Sequence, residues 1–389
     1  MRAALRHVPS LLLKTSPVHL TFFVTRRCNA RCPLCFYARE RDQEGGPPEL
    51  DLDEIRRVAR SMRPLLWVLF SGGEPFLRRD LPAIAGIFHD ENRAAFLTVP
   101  TNGLAPETIA AATEEMLRRC PESVVVVKLS IDGLGPDHDA IRRIPGGFEK
   151  VLRTHERLAT LARRYPRLEL GVNTMFCHEN QHRLDGLVDL VAGLDQVRAH
   201  TLTMIRGAPG EGVPAGVDLA QYGRVAARVE GRWRGRFHRF AGSRLKAAQD
   251  RVQRRLVEAT LRERRRLVPC FAGRLGIVLS ERGELSACET RRAEPLGNVR
   301  DAGYDVGAIL RSARASLVLD DVAAAGCHCA HECNLLVNVL FDPMSYPRLA
   351  REWLRLWPGT SRSTDRVAVP PAFAVPGRGT RREEERTFA

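Results

Sequence analysis

The sequence predicts an α/β fold, six β-α repeats followed by a small cysteine-rich domain. Three observations carry that prediction. Short β-branched and apolar runs alternate with longer amphipathic stretches from residue 18 to about 207. The polar motifs of this half fall at the ends of the apolar runs, where parallel α/β folds gather their ligands. The cysteines fall into two constellations, one after the first run and one after residue 267.

The apolar runs place strands over 18–25, 65–71, 94–101, 123–132, 168–176 and 197–206. Helical spacing occupies 51–62, 80–89, 106–119, 148–164 and 182–194. The first of these opens on Asp51 and Asp53, acids that suit a helix N-terminus. Such repeats imply parallel strands joined by right-handed crossovers. The residues alone allow either a doubly wound sheet or a barrel.

Each strand end carries a motif. Cys28, Cys32 and Cys35 follow the first, and Gly72-Gly73-Glu74-Pro75 the second. Thr101-Asn102-Gly103 follows the third, and Ser130-Ile131-Asp132-Gly133 closes the fourth. Asn173 and Cys177 come late in the fifth, and Met204 and Arg206 close the sixth. Lys128, Ser130 and Asp132 share one face of the fourth strand, so that face lines a polar cavity. Glycines at 72 and 73 would let backbone carbonyls approach a ligand, and Glu74 suits an ammonium group. Asn102 and Asn173 read equally as pocket residues or turn-formers.

The C-x3-C-x2-C run can hold three irons of a 4Fe-4S cube and leave the fourth open to a substrate. A structural zinc knuckle is the competing reading, and it needs a fourth ligand close in sequence. With Gly72-Gly73-Glu74 the run resembles the radical S-adenosylmethionine (SAM) superfamily. The resemblance implies a partial (β/α)6 TIM-like barrel whose open iron binds the amino and carboxylate groups of SAM. It implies reductive cleavage of SAM to a 5′-deoxyadenosyl radical that removes a hydrogen atom from substrate. A flavodoxin- or ferredoxin-type donor would supply the electron. Leu34 stands where the family often has an aromatic residue, so Phe36 or Tyr37 would cover the adenine.

Ser130-Ile131-Asp132-Gly133 followed by His138-Asp139-Ala140-Ile141-Arg142 is similar to a pattern of the peptide-modifying branch. There the serine and arginine hold the ribose and carboxylate of SAM, roles that fall on Ser130 and Arg142. Arg143 replaces a common glycine, so the two arginines could exchange roles. By the same resemblance Gly72, Gly73, Glu74, Asn102 and Asn173 complete the cofactor contacts.

After a turn-rich break at 207–214 comes an arginine-heavy helical segment, 219–267, with Arg251, Arg254, Arg255, Arg262 and Arg265 on one face. It reads as a solvated linker helix, or as a docking face for an acidic peptide or a reductase. Cys270, Gly283 and Cys288 then read as a strand, a glycine turn and a strand with a thiol at each end. Cys327, Cys329 and Cys333 follow. Zinc could take four of these thiolates, or three with His328 or His331. The spacing resembles the SPASM/twitch extension, which implies one auxiliary 4Fe-4S cluster on Cys270, Cys288 and two of the last three. Cys120 reads as structural, and Cys177 as a possible thiol near substrate. Residues 346–356 suggest a closing helix, and 358–389 a largely disordered tail. The expected division is thus 1–17 extension, 18–207 barrel, 208–266 linker, 267–345 auxiliary-cluster domain and 346–389 closing helix and tail.

Composition bounds what remains. The 389 residues are 44% hydrophobic, and no apolar run approaches a membrane span. The apolar piece of the first 13 residues is too short for a secretory signal. Ten cysteines without an export signal read as metal ligands in a reducing compartment, the cytoplasm. The net charge of +14 is dominated by arginine and reads as a solvated basic face. About 17 residues precede the first strand, which leaves no room there for a leader-binding domain and keeps both peptide and small-molecule substrates open. A zinc-stabilised nucleic-acid-binding protein explains cysteines and charge, but not the polar rim, and 6% aromatic residues argue against base stacking. An electron-transfer protein explains two clusters, but needs neither an open iron nor Gly72-Gly73-Glu74.

Overall fold

The computed structural model describes residues 14–38, 45–205, 216–324, 327–328 and 330–356. Arg206, Cys329, the break at 207–214 and the tail from 358 lie outside them.

The predicted repeats are present. Strands β1 (His19–Thr25), β2 (Trp67–Gly72), β3 (Phe96–Thr101), β4 (Val124–Ser130), β5 (Leu168–Phe176) and β6 (Val197–Met204) pair in parallel in sequence order. The helices that follow them are α1 (Leu52–Arg60), α2 (Leu81–Asn92), α3 (Pro106–Arg119), α4 (Pro136–Arg142), α5 (Gly147–Arg164) and α6 (Leu184–Gly193). Helix α1 starts where a capping box forms: Asp51 accepts from the Glu54 amide, and the Glu54 side chain accepts from the Asp51 amide. Helix α3 opens on Pro106, whose missing N–H costs nothing at a first turn, and ends on Arg118 and Arg119.

Parity sorts the strands. Leu20, Phe22 and Val24 of β1 and Val125, Val127 and Leu129 of β4 are buried in the core shared with Phe70, Phe88 and Leu158. His19, Thr21, Phe23 and Thr25, and likewise Lys128 and Ser130, point to the opposite, concave face. The strand ends therefore share one rim, and that rim carries the motifs.

Two features depart from expectation. The hairpin of β7 (Gly276–Leu279) and β8 (Glu284–Ser286) does not form a sheet of its own. Strand β7 pairs in parallel with β1, His19 opposite Gly276 and Phe22 opposite Leu279. With β9 (Gly297–Asn298) the order is β6-β5-β4-β3-β2-β1-β7-β8-β9, one continuous sheet. The turn between β7 and β8 needs Gly283: its φ is 91°, and a Cβ there would lie 2.9 Å from Asn298 Oδ1.

The arginine-rich segment is also no solvated linker helix. It forms α7 (Leu219–Arg232) and α8 (Ser243–Glu263), which bury Tyr222, Val225, Val229, Val252, Leu256 and Val257. Several of its cations pair with acids of the same chain, Arg251 in a buried position and Arg255, Arg262 and Arg265 at the surface. Arg255 meets Glu352 at 2.7 Å, Arg251 meets Glu230 at 3.4 Å, Arg265 meets Glu263 at 2.6 Å, and Arg262 pairs with Glu258. Arg254 donates to the His200 carbonyl at 3.3 Å. After α9 (Val306–Leu310) and α10 (Ala313–Ala324), helix α11 (Glu332–Phe341) enters the space under the sheet. Val337 and Phe341 pack with Val18, Leu66 and Leu275, at the amino ends of the strands. The closing helix forms as expected, α12 (Tyr346–Arg355), and rests on α8 through Glu352.

Candidate cofactor and metal sites at the two ends of the sheet

The loop after β1 carries Cys28, Cys32 and Cys35, all partly buried. Its root is fixed from two sides. Glu49 accepts from Thr25 Oγ1 at 2.8 Å and from the Arg26 amide at 3.0 Å. From β2, the amides of Gly73 and Glu74 donate to the carbonyls of Thr25 (2.9 Å) and Arg27 (2.8 Å). A Cβ on Gly72, whose φ is 115°, would lie 2.4 Å from the Thr25 oxygen. The glycines are thus required by the approach of two backbones, where the sequence suggested only the approach of a ligand.

Burial pushes the Cys28 and Cys32 thiols up, and the neighbouring thiols add to the rise. The Arg142 guanidinium opposes the rise at Cys32. Thiols of this kind shed their protons to a metal rather than to water. Three cysteines on one loop, with a cation at hand to balance thiolate charge, suit a cluster site-differentiated at its fourth corner.

Glu74 is 2% exposed, and burial pushes its carboxyl up to about 7. It accepts from Thr101 Oγ1 at 2.9 Å, from the Asn102 amide at 2.8 Å and from the Phe76 amide at 3.3 Å. Its work in this state is to tie the ends of β2 and β3 together. Asn102 reaches onward: its Nδ2 donates to Asn29 Oδ1 at 2.7 Å and lies 3.9 Å from Cys28 Sγ. A turn-former alone would not join the cysteine loop.

Arg142 and Arg143 are told apart. Arg143 caps α4 with a φ of 54° and is exposed. Arg142 turns inward, donating through Nε to Asp132 Oδ2 at 2.8 Å. Asp132, fully buried, also accepts from the Met175 amide at 2.8 Å. His138 Nδ1 accepts from the Asp132 amide at 3.1 Å, and Asp139 accepts from the Phe148 amide at 2.8 Å. The motif is therefore a scaffold that aims one guanidinium at the cysteine loop. Ser130 stands beside Asn173 in register, and Asn173 Oδ1 accepts from Thr203 Oγ1 at 2.7 Å. One layer lower, Lys128 donates to Thr201 at 3.1 Å, and burial pulls its pKa down.

Of the two aromatic candidates, Tyr37 is buried and donates to Glu281 at 2.5 Å, under the β7–β8 hairpin. Phe36 is the exposed one. Cys177 follows β5 and is fully buried, and burial pushes its thiol up to about 12, away from the thiolate form a reactive cysteine uses. Cys120, equally buried, is structural as expected.

The second constellation lies at the amino end of β1. Burial pushes the Cys270 and Cys327 thiols up, and the nearby Cys288 adds to both rises, so the three lie close together. Cys333, in the first turn of α11, sits instead with Glu289 and His331. Sequence reading had His331 as a zinc alternative and missed Glu289, which looks like one more surface acid until the chain folds. His19 of β1 also feels Glu289 and His331, and burial pulls its imidazole down to about 4.

The radical SAM superfamily profile matches residues 22–191, the span that holds the rim just described up to α6. The chain carries a radical SAM domain. Curated relatives of that domain include the Fe-coproporphyrin III synthase of Methanosarcina barkeri, 34% identical over 38% of this chain and 36% of that protein. The PqqA peptide cyclase of Bradyrhizobium diazoefficiens is 26% identical over 47% of this chain and 45% of that one. The chain thus spans about half or less of these relatives' length. Among solved structures, anSMEcpe with bound AdoMet shares the fold with a TM-score of 0.56 and 16% identity, over 88% of this chain and 97% of that chain. The likeness to anSMEcpe reaches well past the radical SAM domain, into the cysteine-rich half. The family uses a 4Fe-4S cluster with SAM, and among the described residues no helix is long and apolar enough to cross a membrane.

Proposed function

We propose that this chain is a radical SAM enzyme that modifies a peptide or a small metabolite, with one auxiliary cluster supporting the reaction. The observation that carries the reading is the convergence on Cys28, Cys32 and Cys35 of Arg142, Asn102 and the buried Glu74 at a single strand-end rim. Cys28, Cys32 and Cys35 would hold the cube. The carbonyls around Gly72 and Gly73, with Glu74 behind them, would receive the SAM ammonium. Arg142 would receive the carboxylate, and Ser130 and Asn173 the ribose, with Phe36 placed to cover the adenine. When bound and reduced, the cluster and its sulfonium cofactor supply a 5′-deoxyadenosyl radical for hydrogen abstraction.

Cys270, Cys288 and Cys327 would hold the auxiliary cluster, with Cys329 as the fourth thiolate. The peptide cyclase and the porphyrin enzyme among the relatives support the two substrate classes. A flavodoxin- or ferredoxin-type protein would deliver the electron. We infer that 18–207, 208–266 and 267–345 are units of function, although one sheet joins the first to the third. Anaerobic reconstitution tests the proposal: about eight irons, two cubes, and release of 5′-deoxyadenosine on reduction with SAM. Cys32→Ala should abolish that release. Reduced holoprotein that leaves SAM intact defeats the reading, and zinc without a brown chromophore would restore the structural-zinc alternative.

A further inference from the structure

The cysteine-rich tail delivers one thiol to a place that its neighbours do not share. The carboxylate of Glu289, the imidazole of His331 and the Sγ of Cys333 all lie within 4.8 Å of one another. Glu289 and His331 are each 6% exposed. Two elements bring these groups together. Glu289 opens the short helix after β8, His331 is the cap residue of α11, and Cys333 lies in its first turn. Strand β1 forms one wall, with Thr21 Oγ1 3.5 Å from Glu289 Oε1.

The ion pair inside this group is loose. His331 Nε2 stands 3.3 Å from Glu289 Oε2, more than a good charge-assisted bond requires. A tetrahedral ion with bonds of about 2.0–2.3 Å sets its donors about 3.3–3.8 Å apart. The group therefore needs to contract by only about 1 Å to close on one ion. It does not suit a cube, which places each thiolate on a different iron. One oxygen, one nitrogen and one sulfur donor form a borderline set that suits zinc.

We propose that Glu289, His331 and Cys333 bind a single Zn²⁺, separate from both clusters. Three protein ligands leave the fourth position to water or to a substrate oxygen. The site lies on the concave side of the sheet, where Lys128 feels the charge of Cys333 and Glu332. It therefore borders the interior that the strand-end motifs face. The assignment also explains the surplus thiol, because an auxiliary cube on Cys270, Cys288, Cys327 and Cys329 has no need of Cys333.

The test uses holoprotein with both clusters assembled anaerobically, desalted and titrated with Zn²⁺ alone, then with Co²⁺ as a spectroscopic probe. One further equivalent of zinc should bind while iron and sulfide stay constant. Glu289→Gln and His331→Ala should each weaken zinc at least about tenfold without losing iron. Cys333→Ser should abolish the thiolate-to-cobalt charge-transfer band with iron content unchanged. Failure to bind the extra zinc overturns the proposal, as does wild-type zinc affinity in both Glu289→Gln and His331→Ala. Loss of about four irons in Cys333→Ser also overturns it, by making Cys333 a cube ligand. Should Cys333→Ser not fold, the isosteric Glu289→Gln decides alone.

Discussion

Gly73 and Arg27 meet backbone to backbone: a Cβ on Gly73 would lie 2.2 Å from the Arg27 carbonyl oxygen. Neither atom is at the end of a flexible side chain, so nothing can swing aside. Gly73→Ala should displace the root of the cysteine loop and destabilise the chain by about 1–3 kcal/mol. Iron analysis should show the first cube lost and the auxiliary iron retained, with thermal unfolding reporting the destabilisation.

Glu74 makes the stability of the metal-free chain depend on pH in a particular direction. Its folded pKa is raised from 4.5 to about 7, so the folded state binds more protons than the unfolded state between those values. The stabilisation is complete below the unfolded value and is lost as pH rises through the folded one. The full swing is at most about 3 kcal/mol. Urea unfolding should show wild type losing stability across that window relative to Glu74→Gln, and parallel profiles would contradict the assignment.

Cys288→Ala should separate the two clusters. About four irons should be lost, SAM cleavage should persist uncoupled, and product should disappear. Normal product formation by this variant would take the second cluster out of the mechanism.

Glu352 is 2% exposed and takes Arg255 at 2.7 Å, with Arg251 at 4.0 Å. Glu352→Ala leaves the mostly buried Arg251 short of a counter-charge at the junction of α8 and α12. Urea unfolding should register a loss of about 1–3 kcal/mol, and Glu352→Gln a smaller one.

The barrel was legible because its strands are buried runs of one period, and its helices carry their own stop signals. Pro106 and Arg119 bound α3 in sequence and structure alike. The cysteine loop was legible by spacing. The interior role of α7 and α8 was not, because arginine stems hide an apolar stripe behind charge, and only the fold shows Glu230 and Glu352 waiting for those charges. Nor could β7 be assigned to the main sheet, since four apolar residues, Gly276–Leu279, name no partner strand. Ser130 could be placed on its face by parity. Asp132 as the holder of Arg142, and Glu289 as the companion of Cys333, required contacts between residues 10 and 44 positions apart.

Strand β1 ends at the cysteine loop and begins level with β7, whose hairpin is flanked by Cys270 and Cys288. Both cysteine regions are thus mounted on opposite ends of one ribbon of seven residues, about 20 Å long by strand rise. A ladder of main-chain bonds does not stretch, so the spacing between the two proposed clusters would be built in as on a ruler. Loops around the rim could be remodelled for a new guest while that gap, and any electron hopping across it, stayed as it was.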